Sequence, residues 1–350
     1  MENTIDRREF LKLTALVGGG ILVNNFAATN GYSQTSFGFQ QCDKTVITVI
    51  TDNLADATRL DYKIANRHKG TAAVVDRALH AEHGLSFHVE TVVDGQSHNF
   101  LFDFASEIQG VRRNMDLLKI DFKKIEALAL SHDHWDHQAA LVELLTQKRA
   151  DLVQGIPLYV GEQFFVGTYS KTSDGQIRSL LSLKKEDVEG LRLVKIVETR
   201  SPTTVVPGAY LTGRVEQVTE YERISPSFVA KRGDQYVQEE FIGEQAIFMN
   251  IKDKGLVILS GCAHRGIVNT VKHVQKVSGV EKVHAIIGGF HLTNAKSELI
   301  QKTIADIQKI NPDYIVPAHC TGFEAISEFA REMPSKFILN TAGTRYIITV

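Results

Sequence analysis

His132-Asp133-His134-Trp135-Asp136-His137 sets three imidazoles and two carboxylates into six consecutive positions of a chain with only 13 histidines in 350 residues. The apolar run Ile125 to Leu130 precedes it, so a short strand delivers these side chains at its end. Alternate residues of an extended segment point the same way, and His132 and His134 can therefore grip one ion. Asp136 and His137 then turn toward a second, just ahead of a helix-forming stretch from Gln138 to Lys148 with Leu141, Leu144 and Leu145 on one face. A solvated polar loop is the plainer explanation of such a cluster, and the local enrichment in histidine weighs against it.

Outward from this loop the chain alternates strands and helices. Upstream, Val46 to Ile50 is rich in β-branched residues and runs into Thr51-Asp52-Asn53, while Leu85 to Val93 and Asn99 to Phe104 flank Asp94-Gly95 as a hairpin. Asn114 to Leu118 has a helical pattern. Downstream, Pro157 to Val160 is a strand, after which the pattern weakens until about Pro207. Ser170 to Arg178 and Lys184 to Glu189 are the expected insertion over the core. Strand and helix return with Ala246 to Ile251, Gly255 to Ser260, Val268 to Lys276, Val283 to Ile287, Ser297 to Ile310, Tyr314 to Val316 and Gly322 to Arg331. Repeated units of this kind predict a layered α/β fold.

Composition excludes several classes. Lys+Arg 39 against Asp+Glu 41 leaves a net charge of -2, so no global field draws the chain to nucleic acid or an anionic membrane. Cys42, Cys262 and Cys320 are too few for a disulfide framework and suit metal-site or buried-thiol roles. Near the N-terminus, Arg7-Arg8-Glu9-Phe10-Leu11-Lys12 followed by the apolar run Leu13 to Val23 looks like a twin-arginine export signal. That run is shorter than the ~20 residues of a membrane-spanning helix. The expected partner is the twin-arginine translocation machinery and the expected location the periplasm, with the segment serving as a membrane tether if it stays uncut.

His-x-His-x-Asp-His after an apolar strand resembles the signature of the metallo-β-lactamase superfamily. More narrowly, Ala81-Glu82-His83-Gly84-Leu85-Ser86, Ser260-Gly261-Cys262-Ala263-His264-Arg265-Gly266, Gly288-Gly289-Phe290-His291-Leu292 and Pro317-Ala318-His319-Cys320-Thr321-Gly322 resemble its branch of 7,8-dihydropterin-6-methyl-4-(β-D-ribofuranosyl)-aminobenzene-5'-phosphate synthase-like proteins. The resemblance implies a four-layer αββα sandwich over residues 37–350, carrying an insertion, behind an export segment over residues 1–36. It also implies two divalent cations, with zinc expected and iron or manganese as alternatives. His132 and His134 would serve the first cation with a later ligand; Asp136, His137 and His319 would serve the second. The superfamily usually bridges its metals with an aspartate in a strand-Gly-Asp turn, where this chain has Ser260-Gly261-Cys262. His264 is the favoured replacement ligand and Cys262 a second-metal contact, with a small buried thiol as the alternative for Cys262.

Weaker candidates complete the expectation. His83 is a substrate or metal contact or a hydrogen-bonded structural histidine, and His291 an acid or substrate binder. Asp136 is expected to act in catalysis as well as ligation. Asp52 and Asn53 are placed to orient ligand histidines, or else cap a strand end. Gly208 to Arg214 resembles the branch's substrate-side loop, although Val215-Glu216-Gln217 departs from its ending. The expected activity is hydrolysis of a small phosphorylated or ester-containing molecule by a metal-held hydroxide. The alternatives are a pterin-related, synthase-like transferase, an iron-dependent redox enzyme with a flavin partner, and a metal-stabilised binding protein without turnover.

Overall fold

The computed structural model describes residues 38–69 and 78–350. The expected export segment, residues 1–36, lies outside the described residues. The first strands are β1 (Lys44–Thr51), β2 (Ala65–Asn66), β3 (Ser86–Val93) and β4 (Gln96–Phe104), followed by α1 (Ile108–Leu117), β5 (Ile125–Ala129), α2 (Trp135–Gln138), α3 (Leu141–Gln147) and β6 (Ile156–Gly161). The middle of the chain forms β7 (Thr168–Lys171), β8 (Ile177–Ser179), α4 (Lys185–Gly190), β9 (Val194–Thr199), β10 (Thr203–Val206), β11 (Ala209–Leu211), β12 (Phe228–Arg232) and β13 (Gln235–Gln238). Then come β14 (Ile247–Ile251), β15 (Gly255–Ser260), α5 (Ile267–Ser278), β16 (Val283–Gly289), α6 (Ser297–Ile310), β17 (Tyr314–Ala318), α7 (Phe323–Glu332) and β18 (Arg345–Thr349).

Two sheets pack face to face. One has eight strands in the order β2-β18-β1-β3-β4-β5-β6-β9, the other six in the order β10-β11-β14-β15-β16-β17. Ile47, Phe87, Phe100, Phe102 and Ala127 of the first meet Leu211, Ile247, Met249, Val257 and Ile287 of the second in an apolar central core. The opposite face of the first sheet buries Leu101, Leu128 and Leu130 under Met115, Leu141, Leu144 and Leu145 from α1 and α3. The outer face of the second buries Ile258 and Ile286 under α5, α6 and α7. Each fully buried Leu or Ile contributes roughly 1.5–3 kcal/mol, so both helical layers are held by side-chain burial. The result is the expected αββα sandwich.

Local chemistry accounts for several boundaries. Asp94 and Gly95 both take positive φ (50° and 77°), and Val93 pairs with Gln96, which is the turn a two-residue hairpin requires. Glu107 accepts the N–H groups of Gln109 and Gly110 at 2.9 and 2.8 Å, so α1 starts well ahead of Asn114. The stretch expected as one helix from Gln138 to Lys148 is broken at Ala139 and Ala140 into α2 and α3. The region read as weak between Val160 and Pro207 holds β9, which pairs in parallel with β6 and extends the first sheet. The inserted material is a third, four-stranded sheet, β13-β12-β7-β8, drawn from two separate segments. Its strands are short and β13 is exposed along its whole length, so no burial period marked it in the sequence.

The topology prepares one edge. Strands β4, β5, β6 and β9 run parallel, as do β15, β16 and β17. The loops leaving β5, β15, β16 and β17 carry His132 to His137, Cys262 and His264, His291, and His319 respectively. Segments remote in sequence thus open at the carboxyl ends of parallel strands, the usual ligand position in such sheets.

Candidate metal centre

Seven of the expected ligands fall into two buried groups whose donor atoms lie within 4.8 Å of one another: His132, His134 and His264 in the first, Asp136, His137, Cys262 and His319 in the second. Four ligands about 2.0–2.3 Å from a tetrahedral ion sit roughly 3.3–3.8 Å apart. The Nε2 atoms of His132 and His264 are 3.2 Å apart, His137 Nε2 is 3.1 Å from Cys262 Sγ, and His319 Nε2 is 3.1 Å from Asp136 Oδ2. His134 Nε2 is buried with no hydrogen-bond partner, an arrangement that costs free energy unless a cation receives the lone pair. The donor set and its spacing therefore fit a pair of cations.

Three of the five rings, His132, His137 and His319, are anchored through Nδ1, which turns Nε2 toward the centre. Asp103, fully buried at the end of β4, is the central anchor. Its Oδ2 accepts from His137 Nδ1 at 2.7 Å and from the Ser131 hydroxyl at 2.7 Å, and its Oδ1 accepts the Ser131 N–H at 2.7 Å. Ser131 Oγ lies 2.9 Å from His132 Nδ1, so one carboxylate orients a histidine in each group. Asp52 Oδ1 accepts the His319 N–H at 3.0 Å, and Asn53 donates to the His319 carbonyl at 3.2 Å. Glu244 accepts the N–H groups of His264 and Arg265 at 2.6 and 2.7 Å and fixes that loop. Close packing demands glycine at Gly261, where a Cβ would collide with Ser131, and at Gly289, where it would strike the Gly261 carbonyl. Four non-glycine residues of the site, Asp103, Ala263, His291 and His319, hold positive φ between 46° and 59°, backbone strain of the kind that concentrates at functional sites.

Electrostatics divides the groups. Burial, reinforced by neighbouring imidazoles, drives His132 and His264 well below the ordinary histidine range, and burial takes His134 down to about 3. These rings are neutral and ready to ligate. At His137 burial is outweighed by the Asp103 and Asp136 carboxylates, which push its pKa up to about 9. Asp136 also resists burial, because His137 and His319 hold it below the usual carboxylate range. Burial pushes the Cys262 thiol up, and a coordinated cation reverses such a shift by binding the thiolate.

The remaining candidates surround these groups. His83 is half-exposed, its Nε2 3.4 Å from Asp136 Oδ2 and its ring stacked 4.8 Å from that of His319. The His291 ring centroid is 4.0 Å from that of His264, and its donor atom lies within 4.8 Å of those of Cys262 and His264, so it too is within reach of a cation. Gly208 to Arg214 runs along β11, one strand in from the edge of the second sheet, and does not line the cavity beside His264 and His291. Cys320 is buried behind His319. Sequence reasoning missed Asp103, Ser131, Glu244 and the aromatic wall of Phe228 and Phe241. Phe241 stacks on His264 at 4.1 Å and 8°, and Phe228 stands 5.1 Å from it. Asp103 did leave a signal, a lone charge inside Phe100-Leu101-Phe102-Asp103-Phe104.

No family model matches the chain. It is 33% identical over 266 residues to 7,8-dihydropterin-6-methyl-4-(beta-D-ribofuranosyl)-aminobenzene-5'-phosphate synthase of Methanocaldococcus jannaschii, covering 75% of this chain and 89% of that protein. Among solved structures, a metal-dependent hydrolase of the beta-lactamase superfamily aligns with a TM-score of 0.66 at 22% identity, over 87% of this chain and 100% of the other. The metallo-beta-lactamase fold protein YhfI of Bacillus subtilis aligns at 0.50 and 11% identity over 87% and 100%. Those two likenesses establish the fold, and the sequence identity places the chain more narrowly: it belongs to the branch of the metallo-β-lactamase superfamily that contains the archaeal dihydropterin-aminobenzene-phosphate synthase.

Proposed function

We propose that this protein is a dinuclear metal-dependent hydrolase acting on a small phosphorylated or ester-containing molecule. The observation that carries the reading is the adjacency of two complete donor groups at one sheet edge, beside a cavity of about 440 Å³ that has His264 and His291 in its wall. The donors are mostly imidazole with one thiol and one carboxylate, a set that favours zinc over iron or manganese. Bound cations would supply Lewis acidity and a nucleophile at neutral pH. The chain's own residues hold and shape the site. Asp103 and Ser131 orient His137 and His132, Asp136 stays ionised, and Phe228 and Phe241 pack against His264. His291 stands in the cavity wall, where it can hold a proton near a leaving group, and His83 lies half-exposed beside Asp136, where it can contact substrate.

Purified protein should contain two metal equivalents, with zinc leading, and a screen of phosphoesters, lactones and pterin-like compounds should find one active class. His134→Ala should lower metal content and turnover together, turnover by roughly 100-fold or more. Full metal occupancy in that variant would overturn the assignment. One observation favours a second reading, group transfer to a nucleophile other than water: the 33% identity to the named synthase. The same screen, run with and without an added aromatic amine, separates the two. We propose further that residues 1–36 direct export by the twin-arginine machinery, a reading supported by Arg7-Arg8 and the apolar run after them.

A further inference from the structure

The cavity beside His264 and His291 has in its wall one guanidinium, that of Arg223, with no ion pair among the described residues. Away from the two histidines its wall includes Glu222, Arg223, Ser225, Ser227 and Phe228, and its volume of about 440 Å³ suits a small molecule. Glu222 is already engaged. Its two carboxylate oxygens accept the N–H groups of Val268 and Asn269 at 2.9 and 2.8 Å, and the Thr219 hydroxyl donates to it at 3.2 Å. The start of α5, which could otherwise attract an anion, is thus filled from within. Arg223 is the opposite case. Its Nε donates to the Glu220 carbonyl at 2.9 Å, which fixes the guanidinium plane, while its Nη groups have no partner among the described residues. The hydroxyls of Ser225 and Ser227, 2.8 Å apart, line the same stretch of wall. Phe228, in the same wall, has its ring 5.1 Å from His264 and 5.7 Å from His291.

We infer that Arg223, with Ser225 and Ser227, recognises an oxyanion carried by the substrate at the end remote from the bond that is broken. The inference rests on the hydrolase reading for the position of that bond, and on the cavity alone for the anion. A planar guanidinium with free donors, flanked by hydroxyls, matches the geometry of phosphate and carboxylate oxygens. The two sources are distinguished by test.

The zinc-loaded full chain and its Arg223→Gln variant are compared on 4-nitrophenyl butyrate, which has a neutral tail, and on mono-4-nitrophenyl succinate, which ends in a carboxylate. Loss of one charge-assisted contact should cut the preference for the succinate ester, as a ratio of kcat/KM, by about 10–100-fold, mostly through KM, with partial rescue in Arg223→Lys. Calorimetry with glycerol 3-phosphate and with glycerate identifies the oxyanion. The one whose affinity falls about tenfold or more in Arg223→Gln, at an unchanged melting temperature, is the group recognised. An unchanged ester preference together with equal affinities in both proteins overturns the inference. Because calorimetry needs no turnover, an enzyme that cleaves neither ester defeats the hydrolase reading while the role of Arg223 is still decided.

Discussion

The two donor groups sit side by side yet are held by different parts of the fold. The second group rests on carboxylates at the ends of core strands: Asp103 holds His137 at 2.7 Å, and Asp52 holds the His319 backbone at 3.0 Å. The first shares Asp103 only through Ser131, and Phe228 and Phe241 pack against its His264. Phe228 belongs to the inserted sheet and Phe241 follows it in sequence. One group is therefore a property of the sandwich and is electrically polarised. The other is neutral, apolar-walled and dependent on the insertion.

The sharpest difference should appear in pH. His137, with its pKa near 9, is protonated at pH 7.5, and the Cys262 thiol, pushed up by burial, also keeps its proton. Both must be released on ligation, whereas the first group, with His134 near 3 and its partners also depressed, has none to lose. Zinc affinity of the second group should therefore rise with pH by roughly tenfold per proton per pH unit around neutrality, and that of the first should stay flat. Zinc titrations in buffers of different ionisation enthalpy measure the protons released. Equal release at both sites would erase the contrast.

Asp103→Asn comes next. The amide keeps the shape but removes the negative charge that orients the His137 ring and faces the cation across it, so second-group affinity should drop about 10–100-fold in a chelator competition, with a smaller loss at the first. A variant that binds like the parent would show that the strand-end carboxylate is only packing. The smallest effect should come from Phe241→Ala, which removes the ring stacked on His264. First-group affinity should fall about threefold to tenfold while the second is preserved. Parallel losses in a two-site titration would mean that the insertion supports the whole centre.

Much of the site was legible because it is local. His132 to His137 occupy one loop, and an alternating backbone suffices to see that two of them can share an ion. The strands around them were legible from apolar runs, since Val46 to Ile50 and Val283 to Ile287 became buried strands at those positions. The inserted sheet was not, because β12 pairs on one side with β13 and on the other with β7, about 60 residues away, and leaves polar faces in solvent. The last strand, β18, escaped for a related reason: it exists as a strand because β1 lies beside it. Asp103 was visible as an odd charge in an apolar run, but which histidine it serves depends on the parallel pairing of β4 with β5.

By itself, then, the order of residues determined the chemistry available: imidazoles, a thiol and carboxylates in spacings that suit a metal loop, within an α/β sandwich. Only the tertiary structure decided the partition, sending His264 to one group and Cys262, two residues away, to the other. The physical reason is the turn after β15. Gly261 lets the backbone pass against Ser131, Ala263 takes φ of 57°, and Glu244 draws in the N–H of His264, so Cys262 and His264 present their donor atoms to adjacent groups while those atoms stay within 4.8 Å of each other.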